Sequence, residues 1–269
     1  MASDRGSVAV EVIALRGAEK TARREPIVVE EPLEIRLDGE PLAVTMRTPG
    51  HDLELAAGFL VTEGVARDFG AILSIAHCDA NENVVEVRSE PGATGIVRPA
   101  ARAFVASSAC GLCGKATLES VRARAPALHR DVTRIEARVL SALPERLRAA
   151  QPLFRATGAL HAAGLFAADG ELLCAREDVG RHNAVDKVVG WAALEGRLPL
   201  AGTALFASGR IGFEIAQKAL VAGIPILAAI SGPSSLAVEL ARENGMALAA
   251  FVRGESLTVY AGAERIAFP

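Results

Sequence analysis

The alternation of strand-like and helix-like segments in the second half of the chain constrains the fold most strongly. From residue 164 onward, apolar runs such as TALFAS and IPILAAIS alternate with GFEIAQKALVAG and SSLAVELARENG, in which apolar residues recur at helical spacing. Gly223 and Gly245 end these two helical segments, because glycine tolerates the left-handed cap. The pattern predicts a helix-covered sheet with substantial parallel character, which is the α/β class.

The first part of the chain has a different pattern. Residues 26–47 predict strands, and Asp38-Gly39 suits a tight hairpin turn in which both residues adopt positive φ. HDLELAAGFLVTEG predicts a short helix, residues 84–88 predict another strand, and residues 91–99 predict a link. We therefore predict a β-rich domain with one helix over residues 1–105 and an α/β domain over residues 106–269, giving an α+β chain overall.

Composition excludes several classes of protein. With 51% hydrophobic residues among 269, the chain can bury a substantial core. Its 29 basic and 32 acidic side chains argue against a nucleic-acid partner, which would require many phosphates to be neutralised. The sequence shows no signal peptide and no apolar run of about 18 residues, the length typical of a membrane span. These features predict a cytoplasmic protein with neither a nucleic-acid nor a membrane partner.

Two of the four cysteines form a closely spaced pair, Cys110 and Cys113, in the segment SSACGLCGK. The next segment, ATLESVRARA, predicts a helix, so both thiols would lie at its N-terminal end. Unpaired amides there, together with the adjacent Lys115, favour the thiolate form. Gly111 and Gly114 leave room for a bulky reaction partner. We therefore predict reactive, catalytic thiols at positions 110 and 113.

A CxxC pair considered alone could also be part of a structural metal site, a thioredoxin-like redox pair or an inert part of the structure. A structural zinc site requires four ligands, but Cys78 and Cys174 lie in strand-like sequence rather than in a second CxxC. A thioredoxin-like pair would lie in an early βαβ unit, whereas this pair follows a link. We predict no tightly held structural metal, and interpret Cys78 and Cys174 as small buried hydrophobic residues.

Polar and glycine-containing segments follow four of the predicted strands. They are residues 177–183 (EDVGRHN), 208–210 (SGR), 231–235 (SGPSS) and 251–256 (FVRGES). In a parallel sheet such segments meet at one edge, where exposed amides and arginines bind anionic ligands. Any one of them alone is more often an ordinary turn, but four such segments, three of them with an arginine, favour binding. His161 could be a ligand or a base, but a lone histidine beside an apolar run is more often a satisfied residue near the core.

Several motifs together resemble the formate dehydrogenase accessory sulfurtransferase family. They are TPGHDLELAAGFLVTEG, SSACGLCGK, TGALHAAGLF, EDVGRHNAVDKVVG, ASGRIGFEIAQKALVAGIPIL and FVRGESLTVYAG. The resemblance implies a cytidine-deaminase-like C-terminal domain after a smaller, mainly-β N-terminal domain. It also implies a homodimer that takes sulfur from a cysteine desulfurase. The recipient would be the bis(molybdopterin guanine dinucleotide) molybdenum cofactor of formate dehydrogenase.

The resemblance also implies roles for particular residues. The persulfide falls on Cys110, with Cys113 as its companion. The contact with the guanine nucleotide moieties falls on Phe251, Val252, Arg253, Gly254, Glu255 and Ser256. From the physical character of the other polar segments we expect further binding residues: Asp178, Arg181, His182, Ser208, Gly209 and Arg210.

The resemblance to a deaminase fold does not extend to deaminase chemistry. Zinc deaminases use a His or Cys two residues before a catalytic Glu, and a later Pro-Cys-x-x-Cys. Here Ala162 and Ala163 follow His161, and CGLCG lacks the proline and precedes His161. Two rival functions remain: a cofactor-binding chaperone that performs no sulfur chemistry, and a metal-dependent nucleotide hydrolase.

Overall fold

The computed structural model describes residues 6–97, 104–106 and 128–268. Within these ranges the chain forms a five-stranded sheet in its N-terminal part and a six-stranded sheet in its C-terminal part, with two smaller two-stranded sheets. The mixed α/β class predicted from the sequence is confirmed.

The N-terminal strands are β1 (Ser7–Arg16), β2 (Glu19–Val28), β3 (Glu31–Leu37), β4 (Glu40–Arg47), β5 (Ile72–Cys78), β6 (Asn81–Ser89) and β7 (Phe104–Ala106). The five-stranded sheet has the order β5-β6-β3-β4-β7, and β1 pairs with β2 in a separate ribbon. Asp38 (φ 52°) and Gly39 (φ 86°) make the predicted tight turn between β3 and β4. The ribbon was missed, because strands were predicted only from residue 26.

The C-terminal strands are β8 (Ile135–Glu136), β9 (His161–Ala167), β10 (Leu172–Asp178), β11 (Thr203–Ala207), β12 (Ile226–Ala229), β13 (Ala247–Arg253), β14 (Ser256–Ala261) and β15 (Ile266–Ala267). The six-stranded sheet has the order β10-β9-β11-β12-β13-β14. Strands β11, β12 and β13 are parallel, whereas β9 runs antiparallel to both of its neighbours and β14 antiparallel to β13. The sheet therefore has a parallel centre and antiparallel edges.

The helices are α1 (Asp52–Thr62), α2 (Ala137–Ala149), α3 (Pro152–Thr157), α4 (Arg181–Leu194), α5 (Phe213–Val221) and α6 (Ser235–Asn244). Helices α4, α5 and α6 pack on one face of the six-stranded sheet through a core that includes Val188, Ile215 and Leu240. Helix α2 covers the other face through Leu140 and Leu143. Of the helices in the described ranges, none has both the length and the apolar character needed to cross a bilayer.

Helices α1 and α4 join the two parts of the chain at almost backbone contact. A β-carbon on Gly58 would lie 1.8 Å from the carbonyl oxygen of Asp186, and one on Gly190 would lie 1.7 Å from that of Glu54. Only glycine fits at both positions. The domain boundary between residues 105 and 106 remains a prediction; β7 spans it and pairs with β4.

Candidate functional site

The strand register brings the predicted polar segments to one edge of the six-stranded sheet. Asp178 at the end of β10 pairs with His161 at the start of β9, and the parallel strands β11, β12 and β13 end at this same side. Ile211 and Pro233 form a further bridge between two of the segments. We call the segments 177–183, 208–210, 231–235 and 251–256 the loop edge. The prediction that they meet at one side of the sheet is confirmed.

Asp178 supports the loop edge from inside the protein. Its side chain is completely buried, and Oδ2 lies 2.7 Å from Lys187 Nζ. Oδ1 accepts hydrogen bonds from Gly180 N (2.8 Å) and Asn183 Nδ2 (2.9 Å), and Oδ2 accepts one from Thr48 N (3.2 Å). Because both oxygens are engaged internally, the carboxylate holds the turn before α4 in place, and a direct contact with a ligand would have to displace these bonds.

The N-terminal part of the chain buttresses the same turn. Thr48 Oγ1 accepts a hydrogen bond from Val179 N (3.2 Å), and Asn183 Nδ2 donates to Met46 O (2.7 Å). Thr45 Oγ1 lies 3.3 Å from Asn183 Oδ1. The end of β4 therefore packs against the loop edge and supports it. This contact was not predicted from the sequence motifs.

Arg181 and His161 converge beside Gly209. A β-carbon on Gly209 would lie 3.4 Å from His161 Nδ1 and 3.5 Å from Arg181 Cδ, so both side chains lie at van der Waals distance from this turn. The Nε atom of Arg181 is buried without a hydrogen-bond partner among the described residues. Burial lowers the pKa of His161, and the nearby Arg181 and His182 lower it further, so that the imidazole is neutral at pH 7.

The expectation that His161 is a satisfied near-core residue stays a prediction. The ring is half-buried at the loop edge, and it has no hydrogen-bond partner within the part of the chain that the structure describes. The sequence position of His161 could have indicated that it lies at the loop edge. His161 begins β9, and β9 begins where the antiparallel strand β10 ends.

The remaining residues of segments 177–183 and 208–210 have distinct surroundings. His182 Nε2 lies 2.9 Å from Glu214 Oε2 of α5. Ser208 Oγ accepts a hydrogen bond from Ala162 N (2.8 Å) and so fixes the end of β11 against β9. The side chain of Arg210 is exposed. Arg210 can therefore reach an anion at the surface, whereas Ser208 is engaged with the sheet.

Segment 251–256 closes the other end of the loop edge. Phe251 has a φ of 53°, unusual for a residue with a side chain, and 44% of it is exposed. A β-carbon on Gly232 would lie 2.7 Å from its ring, so the phenyl group lies against the 231–235 turn. The side chain of Val252 is fully buried in the core, so a contact of Val252 with a ligand would have to come from its backbone. Arg253, Gly254, Glu255 and Ser256 form an exposed hairpin turn.

Cys110 and Cys113 lie outside the described residues. Cys174 is buried as predicted, and burial raises its pKa to about 12, which excludes it as a nucleophile near neutral pH. Cys78 is only partly buried, at the end of β5. Within the described ranges, no group of three or more His, Cys, Asp or Glu side chains could hold a metal ion.

Comparison with known proteins identifies a family that matches most of the chain. The family model described as the FdhD/NarQ family matches residues 28–267. The sulfur carrier protein FdhD of Streptomyces avermitilis is 53% identical over 265 residues, covering 95% of this chain and 94% of the relative. The protein of the same name from Mycobacterium tuberculosis is 49% identical over 255 residues, covering 91% and 92%.

A solved structure is similar along nearly the whole chain. The crystal structure described as a formate dehydrogenase accessory protein from Desulfotalea psychrophila superposes with a TM-score of 0.78 at 26% sequence identity. The match covers 97% of this chain and 99% of that chain. Family model, relatives and structure coincide, and the chain belongs to the FdhD/NarQ family.

Proposed function

We propose that this protein is a sulfur carrier in the maturation of formate dehydrogenase, acting in the cytoplasm as a homodimer. Cys110 accepts a persulfide sulfur from a cysteine desulfurase, and the sulfur passes to the bis(molybdopterin guanine dinucleotide) cofactor, which is the substrate. The names of the Streptomyces and Mycobacterium relatives support the sulfur-carrier role. The name of the Desulfotalea protein supports the connection with formate dehydrogenase.

The position of β7 is the observation that carries the proposal. Its last residue, Ala106, pairs with Thr45, and Thr45 contacts Asn183 beside the loop edge. Cys110 follows four residues later. Four residues span at most roughly 14 Å when fully extended. The chain between Ala106 and the proposed nucleophile is therefore short, which is compatible with transfer at the proposed substrate site.

The loop edge has the chemistry that the nucleotide arms of the cofactor require. Arg181, Arg210 and Arg253 supply cationic donors for pyrophosphate oxygens. The space beside Gly209 lets an oxygen approach the backbone. The exposed ring of Phe251 offers an apolar face for a guanine base.

Sulfur transfer to Cys110 is a thiol exchange that needs no external oxidant. The Cys110 thiolate attacks the terminal sulfur of the desulfurase persulfide, a new S–S bond forms on Cys110, and the desulfurase cysteine leaves as a thiolate. The Cys113 thiolate then attacks Cys110 Sγ and releases the terminal sulfur as sulfide for the metal. This step leaves a Cys110–Cys113 disulfide, which a cellular dithiol reduces with two electrons.

Complementation tests the proposal against its rivals. In cells that lack the native protein, we expect wild type and Cys174→Ala to restore formate dehydrogenase activity, and Cys110→Ala to restore none. Full activity of the Cys110→Ala, Cys113→Ala double variant would favour a chaperone that binds the cofactor without sulfur chemistry. Stoichiometric zinc bound through these two thiols would favour a metal-dependent hydrolase.

A further inference from the structure

Three elements of the C-terminal part meet around the Gly209 turn at the loop edge. His161 begins β9, Arg181 begins α4 and Gly209 follows β11. The two side chains lie 3.4 Å (His161 Nδ1) and 3.5 Å (Arg181 Cδ) from the place that a β-carbon of residue 209 would occupy. The imidazole of His161 and the aliphatic Cδ of Arg181 therefore border the Gly209 turn.

One donor of Arg181 lacks an acceptor among the described residues. The buried Nε of Arg181 has no hydrogen-bond partner in the described part of the chain. The nearby carboxylates are already engaged: Asp178 with Lys187 and Glu214 with His182. Because an unpaired buried N–H is unfavourable, an acceptor supplied by a ligand would complete the site.

We propose that His161, Arg181 and the Gly209 turn form the subsite for one phosphate of the nucleotide pyrophosphate, and that His161 donates a hydrogen bond directly to a phosphate oxygen. This inference rests on the proposed function, which places a guanine nucleotide at the loop edge. It assigns a binding role to a histidine that lies outside the predicted binding residues.

Phosphate binding at this subsite is coupled to a proton. In the free protein, burial, Arg181 and His182 lower the pKa of His161, while Asp178 raises it. Among the described residues, Arg181, His182 and Asp178 are the charged or titratable groups that act on the ring. A bound phosphate anion adds a negative charge and raises the pKa of His161. The complex therefore takes up a proton, and affinity increases as the pH falls toward the ordinary histidine value of about 6.5.

Isothermal titration calorimetry with a guanosine diphosphate sugar tests the subsite. The pyrophosphate of this probe is a diester, as in the cofactor, and does not titrate between about pH 5 and 8, where histidine does. Titrations in buffers of different ionisation enthalpy count the protons taken up. We expect wild type to take up protons and to bind more tightly as the pH falls.

The variants identify the group that takes up the proton. His161→Gln keeps a donor but cannot be protonated, so it should bind without this proton uptake. His161→Ala should bind roughly tenfold to a hundredfold more weakly, the range for a hydrogen bond to a charged group. His129→Gln is the control, because His129 bonds to Glu243 O at the other end of the molecule. It should behave as wild type.

The outcomes separate this subsite from the proposed function. Equal affinity and equal proton uptake in wild type and both His161 variants would overturn the subsite while leaving nucleotide binding intact. Failure of the wild type to bind the diphosphate sugar would overturn both the subsite and the proposed binding of a guanine nucleotide at the loop edge. Guanosine and inorganic pyrophosphate, titrated separately, show which part of the probe requires His161; the subsite predicts that only pyrophosphate binding depends on it.

Discussion

Lys187 Nζ lies 2.7 Å from Asp178 Oδ2, and both side chains are almost completely buried behind the loop edge. The EDVGRHNAVDK motif thus contains two kinds of polar residue. Asp178, Asn183 and Lys187 face inward and fix the turn, while Arg181 and His182 lie nearer the surface. Mutations within one motif should therefore separate effects on stability from effects on binding.

Replacing Asp178 with alanine should destabilise the whole protein. The substitution leaves the charge of Lys187 buried and unpaired, which costs about 3–5 kcal/mol in the free energy of unfolding. Urea denaturation measures the change. The control is Glu136→Ala, which removes an exposed ion pair with Arg138 and should leave the stability close to that of wild type. Normal stability combined with lost nucleotide affinity would instead identify Asp178 as a direct ligand contact.

The close crossing of α1 and α4 predicts a strong effect of a single methyl group. Gly58→Ala would place a β-carbon 1.8 Å from the carbonyl oxygen of Asp186, so the helices must separate. We expect a loss of about 1–3 kcal/mol or more, as for other overpacked cores. Gly212→Ala is the matched control, since its β-carbon would meet nothing within 4 Å. Equal melting temperatures for the two variants would show that the crossing is looser than described.

An ion pair between the two parts of the chain predicts acid sensitivity. Burial would raise the pKa of Glu54, but hydrogen bonds from Arg176 and His51 outweigh it and lower the pKa. Because the folded pKa lies below the unfolded one, the stabilisation is present above the ordinary value of about 4.3 and is lost as the pH falls through the folded value.

Measuring the free energy of unfolding of Glu54→Gln and of wild type across this pH range shows whether the stabilisation is lost on acidification. The variant should be less stable near neutral pH, and the difference should shrink on acidification as the wild type loses its ion pair. Glu171→Gln, at an exposed position, is the control. A difference that stays constant with pH would rule out ionisation of Glu54 as its source.

The two cysteines that the structure describes should differ in reactivity. Burial raises the pKa of Cys174 to about 12, so its thiol stays protonated and covered in the native protein. Iodoacetamide at pH 8 should therefore modify Cys78 before Cys174, and should modify both in urea. Peptide mass spectrometry measures the two rates. Faster native labelling of Cys174 would mean that its surroundings open readily.

Several helices and turns could be predicted from residues that are close together in the sequence. The apolar spacing of α5 and α6, the cap at Gly245 and the Asp38-Gly39 turn were all predicted and are observed. The β1–β2 ribbon was missed, because its charged residues and largely exposed faces give no clear alternation of polar and apolar positions.

The site was predictable as a location but not residue by residue. Parallel strands place their ends together, so the loop edge followed from the strand pattern. Which polar side chains face inward depends on contacts distant in sequence, such as Thr48 with Asp178. The same holds for His161, whose surroundings are built by Arg181 and Gly209. Val252 illustrates the limit within a motif, because alternation along β13 buries it between exposed neighbours.

The central claim is that sulfur travels on Cys110. The most direct measurement is mass spectrometry of the protein after incubation with a cysteine desulfurase and cysteine, followed by mapping of the modified peptide. The proposed relay predicts one additional sulfur atom on Cys110 in wild type and none at this position in Cys110→Ala. An unmodified Cys110, with the sulfur on Cys113 or nowhere in the chain, would contradict it.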